Sequence, residues 1–212
     1  MSNKSSISTK TKTAPAGTRE ERKLATRRRI LDAALRVFAR DGFLAATTQA
    51  VAAEAGVSHG SVFVHFGSQE RLVAAAIADF GEDVARRIHE SIESGARTRE
   101  VLSAHLAAIR EREDFYARLA AEAPLLGEGA RSSLVCIQSA ISFHLSPAVE
   151  ADRAAGRIKA ASLPLLFNTW LGLVHYYLAN RELFAPGESV VDRRGPELLK
   201  HFMSLIAKGR QA

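Results

Sequence analysis

Three features of this 212-residue sequence predict an all-α fold. Apolar residues recur at three- and four-residue spacing in one segment after another. A threonine or serine stands just ahead of several of these segments, where its side-chain oxygen can cap a helix. No stretch alternates apolar and polar with period two for long enough to require a strand. The predicted architecture is an N-terminal three-helix helix-turn-helix unit followed by a larger helical body, roughly nine helices in all.

The first helix is predicted from Thr26, where Ile30, Ala33, Ala34, Val37 and Phe38 share one face, Arg27, Arg28 and Arg29 lead in, and Asp41-Gly42 stops it. Thr47 can cap a short second helix, "TQAVAAEA", ending at Gly56, and Ser58 a third with Val62 and Phe66 on its inner face. Ser68 can cap a long fourth helix, whose stripe runs Leu72, Val73, Ala76, Ile77, Phe80, Val84, Ile88 and Ile92 before Gly95. Beyond it, helices are predicted from Thr98 to about Arg112 and from Phe115 to Ala123, where Pro124 breaks the pattern. Leu134, Ile137, Ile141, Leu145 and Ala148 make the next stripe, and Leu163 to Leu178 is apolar nearly all round. After the "FAPGESV" loop, Leu198, Leu199, Phe202, Leu205 and Ile206 form the last. The domain reading is a flexible basic arm at 1–23, a helix-turn-helix domain at 24–68 and a helical body at 69–212.

Charge is distributed unevenly. Residues 1–66 hold 11 Lys/Arg against 5 Asp/Glu, whereas residues 67–212 hold 18 of each. The whole surplus of +6 therefore sits in the N-terminal third, as expected for a polyanion-binding module on a neutral scaffold. The first residues, rich in Ser, Thr and Lys, lack the apolar core of a secretory signal. The run from Leu163 to Leu178 is short for a membrane span and contains Asn168, Thr169 and His175. A soluble, cytoplasmic protein with no membrane partner is expected. Cys136, the single cysteine, is expected to be a buried packing residue in a reducing compartment. The seven histidines are scattered without ligand spacing, so no metal site and no cofactor are expected.

The stretch "AGVSHGSVFVHF", residues 55–66, supports two incompatible readings. Gly56 to Gly60 fits the G-x-S-x-G pattern of a nucleophilic serine, but that turn needs a strand leading into it, and the preceding residues are alanine-rich and helix-favouring. A helix-turn-helix accounts for more positions. Ala52 and Ala53 allow close approach of the helices, Gly56 tolerates left-handed backbone, and Val51, Ala55, Val57, Val62 and Phe66 form an inward set. Outward lie His59, Gly60, Ser61, Phe63, Val64 and His65. Phe63 and Val64 either pack on another helix or enter a major groove, where Gly60 permits close approach, Ser61 can bond either base type and Val64 can meet a thymine methyl. His59 and His65 can donate to bases or phosphates.

Residues Thr26 to Leu72, with "ILDAALRVFARDGF", "AGVSHGS" and "HFGSQERL" in order, resemble the DNA-binding region of the TetR family of transcription regulators. The resemblance implies a dimeric, all-α, non-enzymatic protein that binds a double-stranded operator and carries a variable C-terminal ligand-binding and dimerisation domain. It implies repression as the usual outcome, with activation by the same parts as the alternative. Position by position, Thr47 falls where the family caps the second helix and touches phosphate, and Gln49 where it contacts a base. Ser58, His59, Gly60 and Ser61 match the leading end of the recognition helix, His65 a phosphate-contacting histidine, and Ser68 the start of a helix facing phosphate. Three positions depart: Phe63 replaces a common phosphate-bonding tyrosine, Val64 a tyrosine or other aromatic, and Gln69 a usual lysine. Affinity is then expected to lean on Arg27, Arg28 and the basic arm, with a shallow salt dependence. For the body, the expected ligand chamber comprises His105, Tyr116, Phe143, His144, Phe167 and Trp170, and the expected dimer contacts Leu173, Tyr177, Leu199, Phe202 and Ile206. Packing within one subunit explains the same residues.

Overall fold

Thr18 starts the first helix, well before Thr26. In the computed structural model, which describes residues 18–208, α1 spans Arg19–Asp41. The Thr18 hydroxyl accepts the Glu21 amide at 3.2 Å while the Glu21 carboxylate accepts the Thr18 amide at 2.5 Å, a reciprocal capping box. This extra length, "REERKLA", is exposed, so apolar spacing gave no sign of it. Arg19–Lys23, read as the end of a flexible arm, are helical. Residues 1–17 of that arm lie outside the described residues.

Nine further α-helices follow among the described residues: α2 Thr48–Ala55, α3 His59–Phe66, α4 Gln69–Ser91, α5 Thr98–Arg110, α6 Glu113–Glu122, α7 Glu128–Ala154, α8 Leu163–Ala179, α9 Arg181–Phe184 and α10 Val190–Ile206. A 3₁₀ turn at Ala123–Leu125 joins α6 to α7. The helix beyond the expected nine is α9, four residues with none buried, too short to carry a period.

The head, α1 to α3, is tied to the body by α4 and α6. From the head α4 runs along α7 and α5, α6 packs between α1 and α8, and α5 also contacts α10. An isolated bridge between Ile158 and Ala207 ties the loop before α8 to the end of α10, so α8 and α10 run antiparallel. Aromatic rings form a continuous path between head and body. Phe38 of α1 meets Phe43 at 5.1 Å, Phe43 meets Phe115 of α6 at 5.1 Å, and Phe80 of α4 lies 5.1 Å from Phe115 and 5.2 Å from Tyr116. Each such pair adds about 0.5–1.5 kcal/mol beyond the apolar area it buries.

Two buried carboxylates join body helices by capping them. Glu113 accepts the α10 amides of Val190 (2.6 Å) and Val191 (3.2 Å) and the Ser189 hydroxyl (2.5 Å), placing negative charge at a helix N-terminus. Asp152 of α7 accepts the Thr98 amide at the start of α5 (3.0 Å) and pairs with Arg157 (2.6 Å).

The long α7 buries Ile137, Ile141 and Leu145 and turns a stripe outward. It is long and apolar enough to cross a membrane by length and composition alone, a test that the core helix of a soluble protein also passes. Cys136 is on its exposed side, contrary to the expected burial. Phe143 is 76% exposed and thus outside any interior chamber. His144 stacks near His89 of α4, their ring centroids 5.6 Å apart, and is likewise apart from the chamber residues that cluster elsewhere.

Burial disfavours the Asp152 carboxylate, but hydrogen bonds from Arg157 and Thr98 outweigh it and hold the group below the usual carboxylate range. A depressed native pKa gives stability that is present above the unfolded value of about 3.9 and is lost as pH falls through the native one. Asp152→Asn should therefore lose roughly 1–3 kcal/mol in urea unfolding at pH 7, and the gap from the wild type should close below about pH 3.9.

Candidate functional site

The turn between α2 and α3 is built as the sequence predicts. Gly56 sits in left-handed backbone (φ 62°, ψ 42°), and its amide and that of Val57 close onto the carbonyls at the end of α2. Thr47 caps α2 through the Ala50 amide (3.1 Å), and Ser58 caps α3 through the Ser61 amide (3.2 Å). Ser58 Oγ also lies 2.8 Å from Ser61 Oγ. Ser58 therefore contacts another serine and no base, and no strand precedes it among the described residues, which overturns the nucleophile reading.

The outward face of α3 carries no lysine, arginine, aspartate or glutamate and is open. Gln49, His59 and Gly60 are exposed, Phe63 is 43% exposed and Val64 80%, while Val62 and Phe66 are buried. Val64 thus stands open to solvent, and Phe63 does so in part. His59 Nε2 is 2.8 Å from the hydroxyl of Thr48, and its ring meets Phe63 edge-on at 5.0 Å. Thr48, a buried position that the sequence reading passed over beside the capping Thr47, orients His59. A threonine at the first turn of a helix whose partner helix begins with histidine was the available signal. Ser61 and His65 are half-buried, and Ser68 caps α4 through the Arg71 amide (3.2 Å).

Three of the residues expected at the DNA face also have partners within the subunit. Arg28 is held between Asp32 (2.6 Å) and Asp79 of α4 (2.5 Å), so it also braces the head against α4. The Gln69 amide donates to the Ala46 carbonyl (2.9 Å) and ties α4 to the loop before α2. Arg27 lies over the Phe66 ring at 4.7 Å, supported on the underside of the recognition helix.

Glu122, the last residue of α6, reaches into the α1–α2 turn. Its carboxylate accepts the amides of Phe43 (2.8 Å) and Leu44 (2.9 Å), and a Cβ at Gly42 would lie only 2.4 Å from its Oε1. Gly42 has φ 84°, so the turn needs glycine for its backbone as well as for this approach. Beside it, Arg118 donates to the Arg40 carbonyl (3.2 Å). Body and head are thus joined at the base of the reading head.

Within the body, four of the six expected chamber residues are interior. His105, Tyr116, Phe167 and Trp170 are all buried, and His175 of α8, which the sequence reading had used only to argue against a membrane span, joins them. Trp170 Nε1 donates to His105 Nδ1 (3.1 Å), and the Tyr116 hydroxyl lies 2.6 Å from His175 Nε2. Burial, with His175 nearby, brings the His105 pKa down to about 3. Burial brings His175 down to about 4 and pushes the Tyr116 phenol upward. At neutral pH all of these groups are uncharged. A separate groove of about 860 Å³ opens between α1, the α5–α6 turn and the start of α10, but it contains none of the chamber residues. Its charges are paired, Arg110 with Asp192 and Arg181 with Asp114.

Of the expected dimer contacts, Leu199 and Phe202 are buried inside the subunit, Phe202 against Trp170 at 5.2 Å, and so are not available to a partner. Leu173, Tyr177 and Ile206 are partly buried against the same core.

The sequence pattern described as "Bacterial regulatory proteins, tetR family" matches residues 30–76. An uncharacterized HTH-type transcriptional regulator of Bacillus subtilis, YerO, is 33% identical over 101 residues, 44% of this chain and 35% of that protein. The chain spans about a third of the length of the curated relatives it matches. Among solved structures, a TetR family regulator from Agrobacterium tumefaciens has a TM-score of 0.71 at 18% identity, covering 88% of this chain and all (100%) of that one. FadR from Bacillus subtilis, solved with stearoyl-CoA, has a TM-score of 0.68 at 20% identity, covering 84% of this chain and 98% of that one. Those structural likenesses show the fold, and the match over residues 30–76 shows a head of the tetR regulatory-protein type.

Proposed function

We propose that this protein is a ligand-responsive transcription regulator that binds a palindromic DNA operator as a homodimer, acts as a repressor and is released by a small molecule. Residues 24–68, extended back to Arg19 by α1, form the DNA-binding domain, and 69–212 the ligand-binding and dimerisation domain. The observation that carries this reading is the outward face of α3, free of lysine, arginine, aspartate and glutamate, with two apolar side chains in water beside an exposed Gln49. A surface of that kind matches base edges and a thymine methyl better than it matches bulk solvent. Thr47, Ser68, His65 and Arg27 surround it as phosphate contacts.

A second copy fits the outer face of α8. Leu165, Thr169, Gly172, Leu173 and Tyr176 lie along one face at helical spacing, Leu165 68% and Tyr176 56% exposed, and α8 contains no charged side chain. Two-fold pairing there sets two recognition helices about one DNA turn, or 34 Å, apart. A ligand in the body that favours another spacing lowers operator affinity by its differential binding, typically about 1–3 kcal/mol. The link is α6, which carries Tyr116 within the buried polar cluster and Glu122 at the head. Activation uses the same parts; the sign depends on where the operator lies.

Three outcomes test this. Gln49→Ala with Ser61→Ala should weaken binding to a duplex selected from a random pool by about 1–3 kcal/mol per lost contact, with helicity and oligomeric state unchanged. Unchanged affinity for that duplex removes these residues from the reading surface. Gly172→Glu meets nothing within 4 Å in the subunit, so it should leave the fold intact and yield monomers in sedimentation. Persistence of the dimer would move the interface elsewhere. Glu122→Ala should speed hydrogen exchange at the Phe43 and Leu44 amides while slow exchange in α5 and α8 persists. If those two amides stay protected, the clasp is not what holds the turn.

A further inference from the structure

His105 carries a buried hydrogen-bond donor with nothing to donate to. The indole of Trp170 can only donate, so His105 Nδ1 is the acceptor and the neutral ring has its proton on Nε2. That Nε2 is buried and has no hydrogen-bond partner, in a residue with no exposed surface. Leaving an N–H unpaired in an apolar interior costs stability. A phenylalanine would remove that N–H but leave the buried Trp170 indole without its acceptor, so the histidine serves Trp170 through Nδ1 and keeps the Nε2 proton uncommitted.

We propose that His105 Nε2–H is the recognition group of an effector site, and that it takes an uncharged molecule with an apolar body and one exposed acceptor oxygen, of the ketone, ester or amide type. This rests on the regulator reading above. The polar groups gathered at the site are two neutral imidazoles, a phenol and an indole. None is a cation, so a carboxylate or phosphate brought there would be desolvated without a counter-charge. The apolar walls are already in place, with Phe80 against Tyr116 at 5.2 Å and Phe202 against Trp170 at 5.2 Å. Tyr116 and His175 close the site between α6 and α8. A solvent groove of about 370 Å³, bordered by Ala117, Ala121 and Leu178 with Arg118, Arg181 and Glu182 also on its lining, opens on the same pair of helices and gives the line of approach. Entry there parts α6 from α8, and α6 carries the Glu122 clasp on the reading head.

Trp170 is the only tryptophan in the chain and is bonded to His105, so its fluorescence reports this site alone. Full-length protein would be titrated with three probes of one shape: cyclohexanone, methylenecyclohexane, which lacks the oxygen, and cyclohexanecarboxylate, which is charged. Cyclohexanone should shift Trp170 emission saturably and raise the melting temperature, binding about tenfold tighter than methylenecyclohexane, while the carboxylate fails to bind. His105→Phe should erase the preference between the first two. His105→Gln, which can accept from Trp170 and still donate, should restore it. The proposal is overturned if the ketone and the alkene bind alike, if the carboxylate binds best, if none gives a saturable response at millimolar concentration, or if both His105 variants retain the preference. Binding to the selected operator duplex without any probe is measured in parallel. A protein that grips the duplex but ignores the ketone sinks this proposal alone, and one that takes the ketone but no duplex sinks the regulator reading alone.

Discussion

The left-handed backbone at Gly56 decides what this molecule can touch. It ends α2 and lets the chain turn so that Ser58 caps α3 in a new direction. That angle turns Val62 and Phe66 inward and leaves His59, Gly60, Phe63 and Val64 outward. A side chain at position 56 would find space, since nothing lies within 4 Å, but it would have to hold a positive φ that only glycine adopts without strain. The constraint is therefore conformational, and the rest of the head is arranged to keep it. Thr48 steadies His59, Arg27 lies across Phe66, and Gln69 ties the next helix to Ala46.

The second requirement is that this head be attached firmly enough to respond to the body. Two unlike connections meet at the α1–α2 turn. The aromatic path from Phe38 through Phe43 and Phe115 to Phe80 is non-directional and tolerates small slides. The Glu122 carboxylate on two successive amides is directional and does not. Packing holds the parts together while the clasp sets their relation. A shift of α6 as small as the length of a hydrogen bond breaks the second without breaking the first, which makes a two-state element possible in an otherwise continuous core.

What was legible in the sequence was what neighbours along the chain decide. Thr47, Ser58 and Ser68 were recognisable as caps because a cap and its amide are three residues apart, and Gly56 because the turn chemistry is local. Thr18 escaped for a different reason: its capping box is local too, but the exposed turn it starts has no apolar period to draw attention to it. The intramolecular partners of Arg28 and Gln69, Asp79 and the Ala46 carbonyl, escaped the sequence because they are distant in the chain and reached only through the fold. Phe143 and His144 sat in a stretch with apolar residues on several sides, where the period does not say which face is inward. In α8 the same ambiguity put Trp170 correctly inside but missed that Leu165 and Tyr176 face out. Its companion α10 was misread in the opposite sense, with Leu199 and Phe202 offered to a partner although they fill the core.

The chemistry of the head also bears on how large a signal the body must send. Arg28 is committed to two carboxylates and position 69 lacks a cation, so the described surface around α3 has few charges to set against phosphate. On the proposed function, counterion release at these positions around α3 is correspondingly small. Apolar and amide contacts to bases then carry a larger share of the binding, and these depend on register to within fractions of an ångström. A heavily charged head would stay bound non-specifically after its helices moved apart. A lightly charged one loses most of its hold when register is lost, so a coupling of about 1–3 kcal/mol is enough to empty the site. The departures at positions 63, 64 and 69 are in this sense matched to a body that reaches the head through packed rings and the directional Glu122 clasp.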